Sequence, residues 1–517
     1  MRHLVHEAPG TYRAGAPPVA AGGVPAAEAP LVVGRAAALM PECENDGEAR
    51  GVPVHGATSN IEAMAGPSTR ARYWVETLGC PKNAVDSDKV AASLVADGLE
   101  PAECADDADL VVVNTCAFVE AARRESIDTV LALGGARKDG AKLVVTGCMA
   151  ERYGDELAAA LPEADAVVGF AGEGSLSSQI APVTFRSRRT PTGVRDLLEL
   201  PRATPRAPWA YLKVAEGCDR ACAFCAIPSF RGAQRSRRPD AIVDEARALV
   251  AGGVSELVLV AQDLAWYGRD MGEPGSLVPL LHRLDDELGP EGLRRVRLLY
   301  LYPSEVHDPL VATMLELDTV VPYFDLSLQH ADRSLLKRMK RWGSGERFVE
   351  IIAGIRAQEP DATFRSSFIV GFPGETEAAH DTLLRFLDTA RLDWAGFFPF
   401  SPEDGTSAAA LDGPVPDALM REWLRECDEV QDPITQGARD ALVRAGAEVE
   451  VLVDGVDDDT GDALGRTHRE APEIDGVVRL EGARARLGSV VLAKVVGALG
   501  PDLVATPIPV CSDLVSA

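Results

Sequence analysis

The sequence predicts an α/β protein built as an amino-terminal parallel α/β domain, a central partial (β/α)6 barrel and a small carboxy-terminal β-barrel. Three observations carry this. Two long stretches alternate strand-length apolar runs with helix-length segments, the pattern of βαβ units in a parallel sheet. A basic, irregular segment separates them. Beyond Gly437 the alternation gives way to short strands with Gly-rich turns, the pattern of a small barrel. With 517 residues, each domain can bury a core of its own.

Residues 1–71 are rich in Ala, Gly and Pro (APPVAAGGVPAAEAP) and hold no sustained period of 2 or 3.6, so a mostly disordered leader is expected, with Met40 or Met64 as alternative starts. The first domain covers 72–182. Its strands are YWVETLGC, DLVVVNTC, KLVVTGC and AVVGF, separated by helical text such as KVAASLVADG and VEAARRESIDTVLAL. FRSRRTPTG and PRATPRAP mark a linker over 183–206. The barrel, 207–436, repeats strand then helix six times, through YLKVAEG, ELVLVAQD, RVRLLYLYP, YFDLSLQH, TFRSSFIVGF and WAGFFPFSP. EVEVLVDGV, ALGRTHR, DGVVRLE and SVVLAKVVGAL build the β-barrel of 437–501, and 502–517 are expected to be a tail.

Composition narrows the function classes. Hydrophobic residues are 46% and charged residues 25% of the chain, as in ordinary globular proteins. No apolar run approaches the roughly 18 residues of a membrane span, and MRHLVHEAPG lacks the parts of a secretory signal. The ten cysteines are therefore expected in a reducing cytoplasm, where clustering suggests metal or redox chemistry. A net charge of -27 opposes long-range attraction to nucleic acid and favours a basic macromolecular partner.

Six cysteines stand out. Cys80, Cys116 and Cys148 each fall at the carboxyl end of a successive predicted strand, the edge where such sheets bind ligands. Burial in a core is the alternative for free cysteines. Cys218, Cys222 and Cys225 follow the first barrel strand as Cys-x-x-x-Cys-x-x-Cys, which lets one loop wrap three thiolates round one centre. A structural zinc would want a fourth ligand, and none lies nearby in sequence. A 4Fe-4S cluster held by three thiolates leaves one iron open. Cys43, Cys104, Cys427 and Cys511 fit neither trio and are expected to be structural or incidental, and His330 at a strand end is as well explained by packing.

The loop GCDRACAFC resembles the signature of radical S-adenosylmethionine enzymes. That resemblance implies that Cys218, Cys222 and Cys225 hold a 4Fe-4S cluster chelating S-adenosylmethionine, that Phe224 packs near the adenine, and that Gly371 and Gly374 of IVGFPGET contact the cofactor. AQD stands where many relatives carry Gly-Gly-Glu. TLGCPKNAVDSDKV, NTCAFVEAA and VTGCMAERY look like the first domain of the methylthiotransferases, which implies a second 4Fe-4S cluster on Cys80, Cys116 and Cys148. The third domain is similar to a TRAM domain.

Two branches share this layout, one acting on an adenosine of transfer RNA, the other on an aspartate of ribosomal protein S-twelve. Pro81, Lys82 and Asn83 after Cys80, Asp219 with Ile227, Pro228 and Ser229, and GRTHREAPEIDGVV are similar to the ribosomal-protein branch. From Gly446 to Gly500 there are 11 Asp and Glu against 6 Lys and Arg, which suits a basic ribosomal protein better than RNA phosphates. The expected partners are ribosomal protein S-twelve, free or in the small subunit, with an electron donor and a sulfur donor; transfer RNA and membranes are not expected. An iron–sulfur carrier without turnover is the reading from another class.

Overall fold

The structure, a computed structural model, describes residues 70–173, 176, 196–203, 205 and 207–509. The expectations for the leader, Met40, Met64, Cys43 and Cys511 lie outside the described residues.

The first domain is a five-stranded sheet of β1 (Arg72–Thr77), β2 (Glu100–Pro101), β3 (Leu110–Thr115), β4 (Lys142–Gly147) and β5 (Ala166–Val167), in the order β2-β1-β3-β4-β5. Every pairing in it is parallel. β3 is buried along its whole length, which is why LVVVNT reads as a continuous run and not as an alternation. Its helices include α1 (Pro81–Ala96), α2 (Glu120–Ala136) and α3 (Cys148–Ala160).

In the central domain, β6 (Trp209–Lys213) is followed by a two-stranded ribbon of β7 (Ala215–Glu216) and β8 (Arg235–Ser236). This ribbon clamps the base of the cysteine loop. β9 (Glu256–Val260), β10 (Arg295–Leu301), β11 (Val320–Gln329), β12 (Thr363–Val370) and β13 (Trp394–Pro399) complete a six-stranded sheet with β6 at one edge. All its pairings are parallel. Successive side chains alternate between two cores, as strand geometry requires. Leu212, Leu257, Leu298 and Phe324 pack outward under the helices. Tyr211, Val258, Leu299 and Tyr323 pack on the inner face, together with Val85 of α1 and Ala471 of the third domain. Six strands do not close a barrel, and the neighbouring domains cover the inner face.

The third domain is a closed barrel, β14-β15-β16-β18-β17, made of β14 (Glu448–Val456), β15 (Ala463–Arg466), β16 (Val478–Leu480), β17 (Val490–Leu499) and β18 (Asp502–Pro507). β18 corrects the expected end of the domain at 501. It pairs with both β16 and β17, and without it each would present an open edge. The helix Asp417–Ala445 likewise runs through the expected boundary at 436 and ends at Gly446. The described end of the expected linker is packed, with Leu197 and Leu198 buried. It straps α1 down: Lys89 Nζ donates to the Leu198 carbonyl at 2.6 Å and the Ala203 amide to that of Asp88 at 3.1 Å. Among the described residues no helix is long and apolar enough to cross a membrane.

Candidate functional site

β1, β3 and β4 are neighbours in the first sheet, and Cys80, Cys116 and Cys148 follow their carboxyl ends. The strand-end placement seen in the sequence thus gathers three thiols at one edge. Gly79 makes this possible. Its φ is +95°, and a Cβ there would lie 2.6 Å from Cys116 Cβ and 2.8 Å from its Sγ, so only glycine lets the Cys80 turn approach Cys116. Asn83 fastens the turn by donating to the carbonyls of Leu78 at 2.8 Å and Thr115 at 3.1 Å. Behind Cys148, Glu173 is 1% exposed and accepts from Thr146 Oγ1 at 2.8 Å and the Gly147 amide at 3.2 Å.

The three thiols differ electrostatically. Burial would raise the pKa of Cys80, but Lys82, Arg231 and the first amides of α1 outweigh it and hold the thiol below its ordinary value. Burial pushes Cys148 up to about 11 despite Arg231. Cys116, buried and beside Cys148 and Cys80, is pushed higher still.

α1 carries this edge onto the inner face of the barrel. Its buried residues are largely polar, among them Lys82, Asn83, Asp86, Ser87 and Lys89, and each needs a partner. Asp86 pairs with Lys213 of β6 and lies 3.4 Å from Arg231. Arg231 also donates to Asn83 Oδ1 at 2.7 Å and to Glu216 at 2.8 Å, and both its Nε and Nη2 reach Cys148 Sγ. A cavity of about 290 Å³ adjoins this network, lined by Asp86, Glu173, Lys213, Glu216, Arg231 and Arg235 among others.

The second trio sits at the carboxyl edge of the barrel. The Cys218 amide donates to the Gly232 carbonyl at 3.1 Å and Ala223 to that of Met339 at 2.9 Å, tying the loop at both ends. Burial pushes Cys218 up to about 11 and Cys225 to about 12. Arg220, inside the loop, is sandwiched between the rings of Trp266 at 4.0 Å and Tyr302 at 3.8 Å. Its Nε donates to Asp263 Oδ2 at 2.6 Å and its Nη2 to Glu305 at 3.0 Å. Arg341 Nη1 reaches Cys222 Sγ at 3.5 Å.

Phe224 is half-buried and packs against the outer barrel core. Gly371 and Gly374 take φ of +83° and +89°, and protein fills the space on their Cβ side: the Met420 side chain at Gly371 and Arg338 at Gly374. Glu375 fixes their turn, its Oε2 accepting from the amides of Gly371 at 2.6 Å and Phe372 at 3.2 Å. His330 is fully buried with Nε2 3.2 Å from Glu375, so it supports this turn. Cys427 lies in the barrel core and Cys104 is buried in the first domain.

Sequence reasoning missed Asp263, the last residue of AQD. It is 2% exposed, and its Oδ1 is a buried oxygen without a hydrogen-bond partner, beside the Cys218 loop. An orphaned carboxylate oxygen there fits the ammonium of a bound amino acid. Two sets of three soft thiols, each on a constrained turn, fit iron–sulfur ligation. Among the described residues, no three His, Cys, Asp or Glu side chains close round a single metal ion.

Three family models match in order: Uncharacterized protein family UPF0004 over residues 72–169, the Radical SAM superfamily over 212–387 and the TRAM domain over 445–508. The ribosomal protein uS12 methylthiotransferase RimO of Kineococcus radiotolerans is 41% identical over 473 residues, which span 84% of this chain and 96% of that one. The protein of the same name from Salinispora tropica is 42% identical over 497 residues, 85% of this chain and 96% of its own. That of Streptomyces coelicolor is 41% identical over 476 residues, again 84% and 96%. Among solved structures, the radical S-adenosylmethionine methyltransferase TsrM from Kitasatospora setae aligns with a TM-score of 0.47 at 14% identity, over 66% of this chain and 77% of that one.

Proposed function

This chain belongs to the ribosomal protein uS12 methylthiotransferases of the radical S-adenosylmethionine superfamily, and on that premise we propose that it replaces a hydrogen on the β-carbon of an aspartate of uS12 with a methylthio group. Cys80, Cys116 and Cys148 would hold one 4Fe-4S cluster; Cys218, Cys222 and Cys225 would hold a second, at which S-adenosylmethionine binds. When bound, these groups supply what no side chain can: removal of a hydrogen from an unactivated carbon, a sulfur to insert and a methyl to cap it.

The chain's own residues bind and orient. Asp263 would offer Oδ1 to the cofactor ammonium, while Arg220 holds its other oxygen. With S-adenosylmethionine bound, Phe224 and the Gly371–Gly374 turn, kept in shape by Glu375, would border the nucleoside. α1 covers the inner face of the barrel and excludes water from the space between the trios. Arg231 keeps that space in register, since it touches Cys148 from a position six residues beyond Cys225. This cross-domain contact is the observation that most supports two centres serving one substrate.

The electron donor and the sulfur donor come from outside the chain, and the reaction belongs in the cytoplasm with the ribosomes. The substrate is uS12, free or in the small subunit. The test is a mass increase on uS12, localised to one aspartate and equal to replacement of hydrogen by methylthio, present with the gene and absent in a deletion. Loss of methylthiolated adenosine from transfer RNA instead, with uS12 unchanged, moves the assignment to the RNA branch. Absence of 5'-deoxyadenosine from reduced, reconstituted protein supplied with S-adenosylmethionine leaves only a cluster carrier.

A further inference from the structure

Lys82 is two residues past Cys80 and only 7% exposed. Its Nζ lies 3.5 Å from the centroid of the Tyr300 ring, at the carboxyl end of β10, so the ammonium projects from the first domain into the mouth of the barrel. The other buried lysines of this region are matched to acids: Lys213 to Asp86 and Glu216, Lys89 to Glu245. Among the described residues no Asp or Glu pairs with Lys82, whose ammonium rests on the Tyr300 ring. The nearby acids are committed elsewhere. Asp325 is held by Arg365 at 3.0 Å and by the Tyr300 amide at 2.9 Å, and Asp86 and Glu216 by Lys213 and Arg231.

A desolvated ammonium without a carboxylate is costly, and such groups persist where a ligand completes them. The platform beneath it is also fixed. Tyr300 holds a φ of +64°, a conformation that a bulky residue adopts only under constraint and that clusters at functional sites.

Resting on the uS12 reading above, we propose that Lys82 is the receptor for the carboxylate of the substrate aspartate. In aspartate that carboxylate is bonded directly to the β-carbon. Pinning it on Lys82 therefore places the reacting carbon near Cys80 and facing the carboxyl end of β10. A lysine that merely held α1 on the barrel would treat a charged and a neutral substrate alike.

The test measures equilibrium binding of reconstituted enzyme to uS12 and to uS12 carrying Asp→Asn at the modified position. The native enzyme is expected to prefer the aspartate form by about 10- to 100-fold, the scale of one hydrogen bond to a charged group. Lys82→Met should bind both forms equally with unchanged iron content, while Lys82→Arg keeps most of the preference. Lys82→Gln, which keeps a neutral N–H donor, replaces the Met variant if that one loses iron. A neutral variant that keeps the native preference overturns the role of Lys82 and leaves the function standing. Native enzyme that binds neither form strikes the uS12 reading itself.

Discussion

Arg231, in the central domain, donates to the Sγ of Cys148 in the first domain, from Nε at 3.3 Å and from Nη2 at 3.1 Å. The same guanidinium holds Glu216, two residues ahead of Cys218. One side chain therefore touches a thiol of one trio and the approach to the other. Arg231→Met should leave Asp86 and Glu216 short of a buried cation, a loss of about 3–5 kcal/mol by the usual cost of breaking such a pair. Removing N–H donors from the Cys148 sulfur should also lower the midpoint potential of the cluster proposed for the first domain. Denaturant unfolding measures the first effect, and potentiometry on protein lacking the Cys218, Cys222 and Cys225 thiols measures the second. Native values for both would show that Arg231 links nothing.

The trios should load independently, because their thiols come from separate sheets. Replacing Cys218, Cys222 and Cys225 together with Ala is expected to lower iron from about eight to about four per chain, the content of two and of one 4Fe-4S cluster. Iron and sulfide analysis after reconstitution reads this directly. A content near zero would mean that the first trio fills only when the second is intact.

The placement of both cysteine trios was legible in the sequence because it follows local rules. Strand period and position place Cys80, Cys116 and Cys148 on one edge, and the Cys218 loop is a contiguous motif. Arg231 and Asp263 were not legible, since their roles depend on partners far away in the chain: Cys148 is 83 positions from Arg231, and Asp263 is marked only by an oxygen left without a donor. The stretch RTHREAPEID shows the same limit. It is similar to the ribosomal-protein branch, and in the fold Arg466, Thr467, Arg469, Glu470 and Ala471 are buried. Arg297 and Trp394 donate to carbonyls within it, which makes much of it an interface inside the chain. β18 was missed because a six-residue strand after Gly500 and Pro501 gives no periodic signal of its own.

Asp263→Asn should weaken S-adenosylmethionine binding by about tenfold, the scale of one hydrogen bond to a charged group. Iron content should be unchanged, because Asp263 is not a ligand. Equilibrium dialysis with the cofactor checks this, and an unaltered affinity would assign Oδ1 a purely structural part.

Gly371→Ala should destabilise the turn proposed to border the nucleoside. Its φ of +83° disfavours any Cβ, and the Met420 side chain occupies the space that Cβ would need. The expected cost is about 1–3 kcal/mol, with a larger loss of cofactor affinity than of iron. If thermal stability and affinity both match the native protein, the turn tolerates rearrangement and Glu375 is not its anchor.

Acid should loosen the seat of the third domain through Glu256. This residue is fully buried, with Arg297 Nε at 2.8 Å and Arg466 Nη2 at 2.9 Å, so it joins β9 and β10 to β15. Burial alone would raise its pKa, but Arg466, Arg297 and Arg295 outweigh it and hold the carboxyl at about 2, against 4.5 for the free group. A pKa depressed by folding stabilises the native state above the unfolded value, and that stability is lost as pH falls through the folded one. The contribution is about 3 kcal/mol, present at neutral pH and draining away between roughly pH 4.5 and 2. Glu256→Gln should be less stable than the native protein at pH 7, because three buried arginines lose their shared anion, and should show a flatter decline over that window. Denaturant midpoints collected across the window decide it: parallel pH profiles for the two proteins would mean that the acid sensitivity arises elsewhere, while convergence toward low pH would place it on this carboxylate.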